Sequence, residues 1–152
     1  MPALSSALPE DSQQPIRIVS NSAVKDNKTG LTIYQGEVDI SQGTLNIRAD
    51  KVTIYSNEEQ VVKIIAVGSP AQFKQKPAVD KADVLAKAKT IEYKLDSKQI
   101  SLSDDASLDQ DGSKITGNTI VYDVNAARVE AKSNKDSGPV TVVIPPQPKA
   151  EQ

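Results

Sequence analysis

Twenty carboxylates and eighteen lysine or arginine side chains are spread over 152 residues that hold no histidine and no cysteine. The densest cluster is Asp104, Asp105, Asp109 and Asp111 in DDASLDQDG. Such oxygens are the hard ligands that calcium loops use. The EF-hand spacing and its terminal Glu are missing, and a hairpin turn closed by Gly112 accounts for the run better. Carboxylate pairs for acid–base catalysis can be drawn anywhere among the twenty, but no motif marks one, and no His is present as a base. The isolated glycines lack phosphate-loop spacing, and the absence of Cys excludes disulfides and thiolate metal sites. The expectation is a chain without catalytic centre, metal or cofactor.

A net charge of −2 and a pI near 5.2 argue against attraction to nucleic acid or to an anionic membrane, both of which select a basic patch. No apolar run approaches the ~20 residues of a membrane-spanning helix. The start, MPALSSALPEDSQQP, lacks the basic head and apolar stretch of a secretory signal. That leaves a cytoplasmic chain or a mature form behind an added Met1.

Whatever this chain does must therefore be done by surfaces, and strands must build them. Apolar residues alternate at Ile16/Ile18, Val38/Ile40, Leu45/Ile47/Ala49, Val52/Ile54, Val62/Ile64/Ala66, Ala71/Phe73, Ile91/Tyr93/Leu95, Ile100/Leu102, Ala106/Leu108, Ile120/Tyr122/Val124, Val129/Ala131 and Val140/Val142/Ile144. Period two over a few residues means a strand with one buried face. DNKTG, SQG, SNEE, LDSK, DQDG and SNKDSG supply turns between them. VDKADVLAKAKTIEYKL has helix-forming Ala and Lys, but its second half alternates and reads as strand. Residues 1–14 are rich in Ser, Pro and Gln and are expected to be disordered. Residues 15–144 form one β domain, and 145–152 a Pro-rich flexible tail.

Apolar parity flips between Leu45/Ile47/Ala49 and Val52/Ile54, which places a bulge or corner at Asp50-Lys51. The stretch from Tyr34 to Ile54 also matches Leu102 to Tyr122 without gaps, at an offset of 68 (Tyr34 onto Leu102). Only Gln42/Gln110 and Ile47/Ile115 are identical, so two unrelated alternating strands compete as an explanation. A small residue followed by a polar one recurs at Ser20-Asn21, Ala49-Asp50, Ala88-Lys89 and Gly117-Asn118. A true repeat would mean one supersecondary unit stacked along an axis.

The interior must be aliphatic, because aromatics are only 3 % of the chain: Phe73 and four tyrosines. Such a core is either simply thin or leaves a slot for an apolar guest. In the second case a dry groove is expected, with Ile40, Ile47, Phe73, Leu95, Leu108 and Ile120 pointing between two sheets. A carbohydrate-binding or adhesin-type sandwich or β-helix is the alternative, yet a sugar site wants aromatic platforms that this chain lacks.

QPIRIVSN, YQGEVDISQGTLNIRADKVTIY, VGSPAQF and KITGNTIVYDV, in this order and spacing, resemble the OstA-like family of periplasmic lipopolysaccharide-transport bridge proteins. The resemblance covers roughly Gln14 to Ile144. It implies an all-β, twisted, open-ended β jelly roll of about sixteen short antiparallel strands around an aliphatic groove. It further implies a periplasmic location and binding of lipopolysaccharide through its lipid A acyl chains. Protomers would join head to tail, with inner- and outer-membrane OstA-like components as further partners. The lipid-facing positions it implies are Ile16, Ile18, Phe73, Tyr93 and Leu95. Its protomer interface would use Ile16 and Ile18 at one end and Val140, Val142 and Ile144 at the other. The family's Gly-Asn pairs become Gly36-Glu37 and Asp104-Asp105 here, positions the resemblance puts on the turn side.

Overall fold

The structure, a computed structural model, describes residues 13–58, 60–76, 82–126, 128–134 and 138–146. The expectations for the two chain ends therefore lie largely outside the described residues. Among the described residues ten strands form one antiparallel sheet: β1 (Arg17–Val19), β2 (Ser22–Asp26), β3 (Leu31–Gln42), β4 (Leu45–Asn57), β5 (Gln60–Gln75), β6 (Val84–Lys94), β7 (Gln99–Gln110), β8 (Ser113–Asp123), β9 (Arg128–Lys132) and β10 (Thr141–Val143). The order is a meander, β3 to β8 side by side, with β1 and β2 along the free side of β3 and β9 and β10 along that of β8. The ambiguous Ala/Lys segment is β6, where the alternation of Ala86, Ala88, Ile91 and Tyr93 overrides helix propensity.

The six long strands do not run straight. Ladder register slips opposite Gly36-Glu37 in β3, Ala49-Asp50 in β4, Gly68-Ser69-Pro70 in β5, Ala88-Lys89 in β6 and Asp104-Asp105 in β7. The slip between β7 and β8 falls at Asn118. These irregularities lie on one line across the sheet, and bulges bend strands. The line divides the sheet into two arms. Arm A holds β2, the first halves of β3, β5 and β7, the second halves of β4, β6 and β8, and β9. Arm B holds β1, the complementary halves and β10. Six strands cut in two, with four short ones, make sixteen straight segments, which accounts for the expected number. The parity flip at Asp50 is this fold line.

Gly36-Glu37 and Asp104-Asp105 belong to the fold line and not to hairpin turns, a correction to the sequence reading. All four residues have positive φ (89°, 48°, 70° and 55°). That conformation is readily adopted by Gly and at some cost by Asp or Glu. The β7–β8 hairpin is closed by Asp111 and Gly112, both at positive φ, as a tight two-residue turn requires.

The repeat is real at the level of the backbone. Every one of the ten β3–β4 rungs, from Leu31↔Tyr55 to Gln42↔Leu45, recurs between β7 and β8 at the offset of 68, from Gln99↔Asp123 to Gln110↔Ser113. Loop contacts recur as well. The Ser56 N–H donates to the Gly30 carbonyl at 2.8 Å, and the Val124 N–H to the Lys98 carbonyl at 3.0 Å. Gln42 Nε2 donates to the Gln14 carbonyl at 3.0 Å and Gln110 Nε2 to that of Ala82 at 3.2 Å, so this identical pair clamps equivalent segments.

Candidate functional site

The inward faces of both arms meet in one apolar interior. From arm B come Val38, Ile40, Leu45, Ile47, Phe73, Val84 and Leu108; from arm A come Val52, Ile54, Ile64, Ile91, Tyr93, Ile100, Leu102, Ile120 and Tyr122, all buried. The ring of Phe73 meets that of Tyr93 edge-on, with centroids 5.5 Å apart and planes at 76°. This favourable aromatic geometry ties the two arms together across the interior.

Next to the fold line the inward positions of arm B are small: Ala49, Ala71, Ala88, Ala106 and Gly117 beside Val38. Their strand neighbours confirm the row, since Val38↔Ala49, Ala71↔Ala88 and Ala106↔Gly117 are direct partners. The arms are closest where they are hinged, so methyl groups fill the space there and larger side chains fill it further out. A Cβ on Gly117 would stand 3.1 Å from the Lys132 carbonyl oxygen and 3.3 Å from Val140 Cγ2. Three of the four small–polar pairs seen in the sequence are thus the inner and outer residues of the fold line.

Among the described residues no buried side chain is polar or charged apart from the tyrosines, and no buried side-chain nitrogen or oxygen lacks a partner. Burial raises the pKa of the Tyr122 phenol above its ordinary value, since the low-dielectric interior disfavours phenolate. No group of His, Cys, Asp and Glu suited to a metal occurs among the described residues. Asp105 faces outward and pairs with Lys89 at 3.6 Å. A depression of about 320 Å3 lies along the fold line, lined by Glu37, Val38, Asp39, Arg48, Ala49, Asp50 and Pro70. Arg48 Nε and Asp39 Oδ2 meet at 3.3 Å, and Asn46 Nδ2 donates to Asp39 Oδ1 at 2.8 Å. What the interior offers is therefore dispersion and exclusion of water, which select for apolar area without directional contacts.

Of the positions expected to face a guest, Phe73 is 1 % exposed and Tyr93 7 %. Leu95 is half-buried against the core at the lip of arm A, its N–H donating to the Val62 carbonyl at 3.1 Å. Ile18 is also half-buried, opposite Ile40, and Ile16 stands 41 % exposed just before β1. Ile18, Ile40, Ile47 and Phe73 are successive partners on one inward rung. On the other side of the sheet that rung runs Ala86, Leu108, Ile115 and Val142. Val142 and Ile144 are 53 % and 65 % exposed, and Val140 is half-buried. Of the six residues expected between the sheets, five are buried and Leu95 half-buried.

Sequence reasoning missed that each free edge has two parts. β2 continues β1 beyond Ser20-Asn21, where the Asn21 N–H donates to the Gly36 carbonyl at 2.9 Å. β9 precedes β10 along the same side of β8. The Ser20-Asn21 pair carried the signal for the first, because it has the small–polar form of the other fold-line pairs.

The sequence pattern of the family described as LptA/(LptD N-terminal domain) LPS transport protein matches residues 17–128. The lipopolysaccharide export system protein LptH of Pseudomonas aeruginosa is 36 % identical over 152 residues, covering 95 % of this chain and 87 % of that protein. LptA of Haemophilus influenzae is 36 % identical over 93 % of this chain and 83 % of its own length. LptA of Escherichia coli K12 is 33 % identical over 93 % and 77 %. The crystal structure of LptH, the periplasmic component of the conserved lipopolysaccharide transport device of P. aeruginosa, superposes with a TM-score of 0.84. The match spans 91 % of this chain and all of that one, at 33 % identity. The antiparallel sheet folded on itself is the β jelly roll of that structure, and this chain belongs to the LptA/LptD N-terminal domain family of lipopolysaccharide transport proteins.

Proposed function

We propose that this chain binds lipopolysaccharide in the periplasm by taking its acyl chains between the two arms, and hands it along a head-to-tail protein bridge from inner to outer membrane. The observation that carries this reading is an interior walled by aliphatic side chains of both arms, without a buried charge among the described residues. Each buried methylene is worth about 0.8 kcal/mol. An acyl chain of ~10 methylenes thus gains about 8 kcal/mol over water. Phosphates and sugars stay outside, consistent with a net charge of −2 that would oppose an enclosed polyanion.

Phe73, Tyr93 and Leu95 form the wall against the lipid, with Ile16 and Ile18 at the entrance edge. Because Phe73 and Tyr93 cover each other, admitting a guest separates the arms and exchanges their mutual contact for contact with acyl chain. A photo-crosslinking residue at Phe73 or Leu95 is expected to capture lipopolysaccharide, and one at the outward-parity Gln72 is not. Equal capture at Gln72 would sink the interior site.

Ile16, Ile18, Val140, Val142 and Ile144 carry the joint between copies, and the OstA-like components of the two membranes cap the bridge through the same edges. Exposed strand edges of opposite ends support an open-ended, heterologous contact. Deletion of Val140 to Gln152 is expected to abolish concentration-dependent growth in light scattering while lipid binding persists. Identical growth curves would remove the C-terminal strand from the joint.

A further inference from the structure

The offset of 68 reaches beyond β3 and β4. All eight rungs that tie β1 and β2 to β3, from Arg17↔Ser41 to Asp26↔Leu31, recur between β6 and β7, from Leu85↔Asp109 to Lys94↔Gln99. The edge strand β1–β2 is thus the counterpart of β6. At the other end, β9 and β10 lie against β8 as β5 lies against β4. Ile47↔Phe73 in the first unit corresponds to Ile115↔Val142 in the second, and Val52↔Ala66 to Ile120↔Ala131. Gly138-Pro139-Val140-Thr141-Val142 then stands where Ser69-Pro70-Ala71-Gln72-Phe73 stands. The whole described sheet is two copies of a four-strand unit, and the molecule already contains one seam between such units: the β5–β6 pairing.

We infer that the joint between two copies of this chain reproduces the β5–β6 seam rung for rung, in both arms. This rests on the head-to-tail reading and adds to it a register. Transferring the seam gives these pairs across the joint. Phe73↔Ala86 becomes Val142↔Ile18, Lys74↔Leu85 becomes Val143↔Arg17, and Gln75↔Val84 becomes Ile144↔Ile16. In arm A, Ala66↔Ile91 becomes Ala131↔Ala23, and Ile65↔Glu92 becomes Glu130↔Val24. Lys63↔Lys94, a pair of like charges inside the molecule, becomes Arg128↔Asp26, a pair of opposite charges.

Two independent observations agree with that register. Eight large hydrophobic residues are exposed among the described residues, and seven of them, all but Val67, lie on or next to β1, β2, β9 and β10. The transferred register sets Ile18 against Val142 and Ile16 against Ile144. The inward rung of arm B then runs unbroken from Ile115 through Val142 into Ile18, Ile40 and Ile47 of the next copy. A slip of one residue would instead turn one partner's apolar set outward. The occupant of the edge is therefore a second copy of the same chain, in an arrangement its own middle already displays.

The absence of native cysteine makes the test clean. Full-length Ile18→Cys is mixed with full-length Val142→Cys under mild oxidation, beside off-register mixtures of Ile18→Cys with Ile144→Cys and Ile16→Cys with Val142→Cys. Cross-strand partners sit within disulfide reach, and neighbours two residues along do not. The expected product is a covalent dimer from the first mixture, several-fold above either control. In arm A, Asp26→Arg or Arg128→Asp alone is expected to raise the concentration for half-association roughly fivefold, and the variant carrying both to restore it. Restoration also separates the ion pair from the part Asp26 plays in its own turn, where Oδ1 accepts from the Lys28 N–H at 2.9 Å. Association with dominant crosslinking in an off-register mixture, or without restoration by the double reversal, overturns the copied seam and leaves head-to-tail assembly standing. Absence of both association and crosslinks in every mixture overturns the two together.

Discussion

Phe73 is the one large aromatic that arm B contributes to the interior, and its edge-on ring contact with Tyr93 crosses to arm A. Its truncation should be felt by the fold before it is felt by any ligand. Phe73→Ala is expected to cost about 3–5 kcal/mol, as cavity-forming aromatic truncations do, measured by denaturant unfolding. Phe73→Leu conserves most of the apolar volume and should cost under about 1.5 kcal/mol, which makes it the variant for lipid-binding measurements. Phe73→Asp confounds the two, because an unpaired carboxylate in this interior opposes folding itself. Tyr122 gives a pH signature. Its folded pKa is raised by burial, so the native state keeps a proton that the unfolded chain releases above its ordinary value of 10.0. The native state then binds more protons, and stability falls as pH climbs through that range. Tyr122→Phe should flatten that fall relative to wild type in thermal melts taken between neutral pH and pH 11.

At the scale of elements, the fold line decides the architecture. Ala88 is fully buried, facing Ala71 beside the hinge of the arms. Ala88→Leu forces branched carbons into the narrowest part of the interior and is expected to destabilise by about 1–3 kcal/mol, while the same change at the outward Lys87 should fall within about 0.5 kcal/mol of wild type. Equal losses at both positions in chemical denaturation would argue against a tight inner corner. Strand existence was legible in the sequence because period-two alternation is a direct imprint of one-sided burial. The corner at Asp50 was legible because a bulge shifts apolar parity. The corners at Gly36-Glu37 and Asp104-Asp105 insert two residues and leave parity unchanged, so Tyr34/Val38 and Leu102/Ala106 keep their phase and nothing in the alternation betrays a bend. The repeat was faint for a related reason. Its backbone recurs at Gly30 and Lys98, at Gly36 and Asp104, and at Gly43 and Asp111, each pair with positive φ. The second unit tolerates there with Lys or Asp what the first achieves with glycine, so the conformation is kept while the letters change. Which side chains face a guest was only partly legible: the alternation separates inside from outside, but the contact of Phe73 with Tyr93 depends on how the arms close, which no local pattern encodes.

For the molecule as a whole, the apolar edges are expected to set its behaviour in solution. Val24, Val142, Val143 and Ile144 are each more than half exposed and lie on or beside strands at the edges of the described sheet, a combination that favours strand addition. Added salt screens charge contacts and leaves apolar ones intact. Association of the full chain is therefore expected to persist at 0.5 M NaCl, read by light scattering, with only the contribution of Asp26 and Arg128 weakened. Complete dissociation in salt would mean that charge, and not the apolar rungs, holds the copies together.

The meander also works as a ruler. Along the direction in which strands are added, one molecule counts eight layers: β1–β2, the six long strands, and β9–β10. Neighbouring strands lie about 4.8 Å apart, so a copy occupies about 38 Å of axis. Each step also rotates by roughly 20–25°, so eight steps accumulate close to half a revolution. Rods of such copies would lengthen in increments of about 38 Å, which small-angle scattering across a concentration series can read directly. Cargo that keeps its tails in the interior would not simply move forward. It would travel a helical path, its headgroup passing from one side of the rod to the other with every copy crossed.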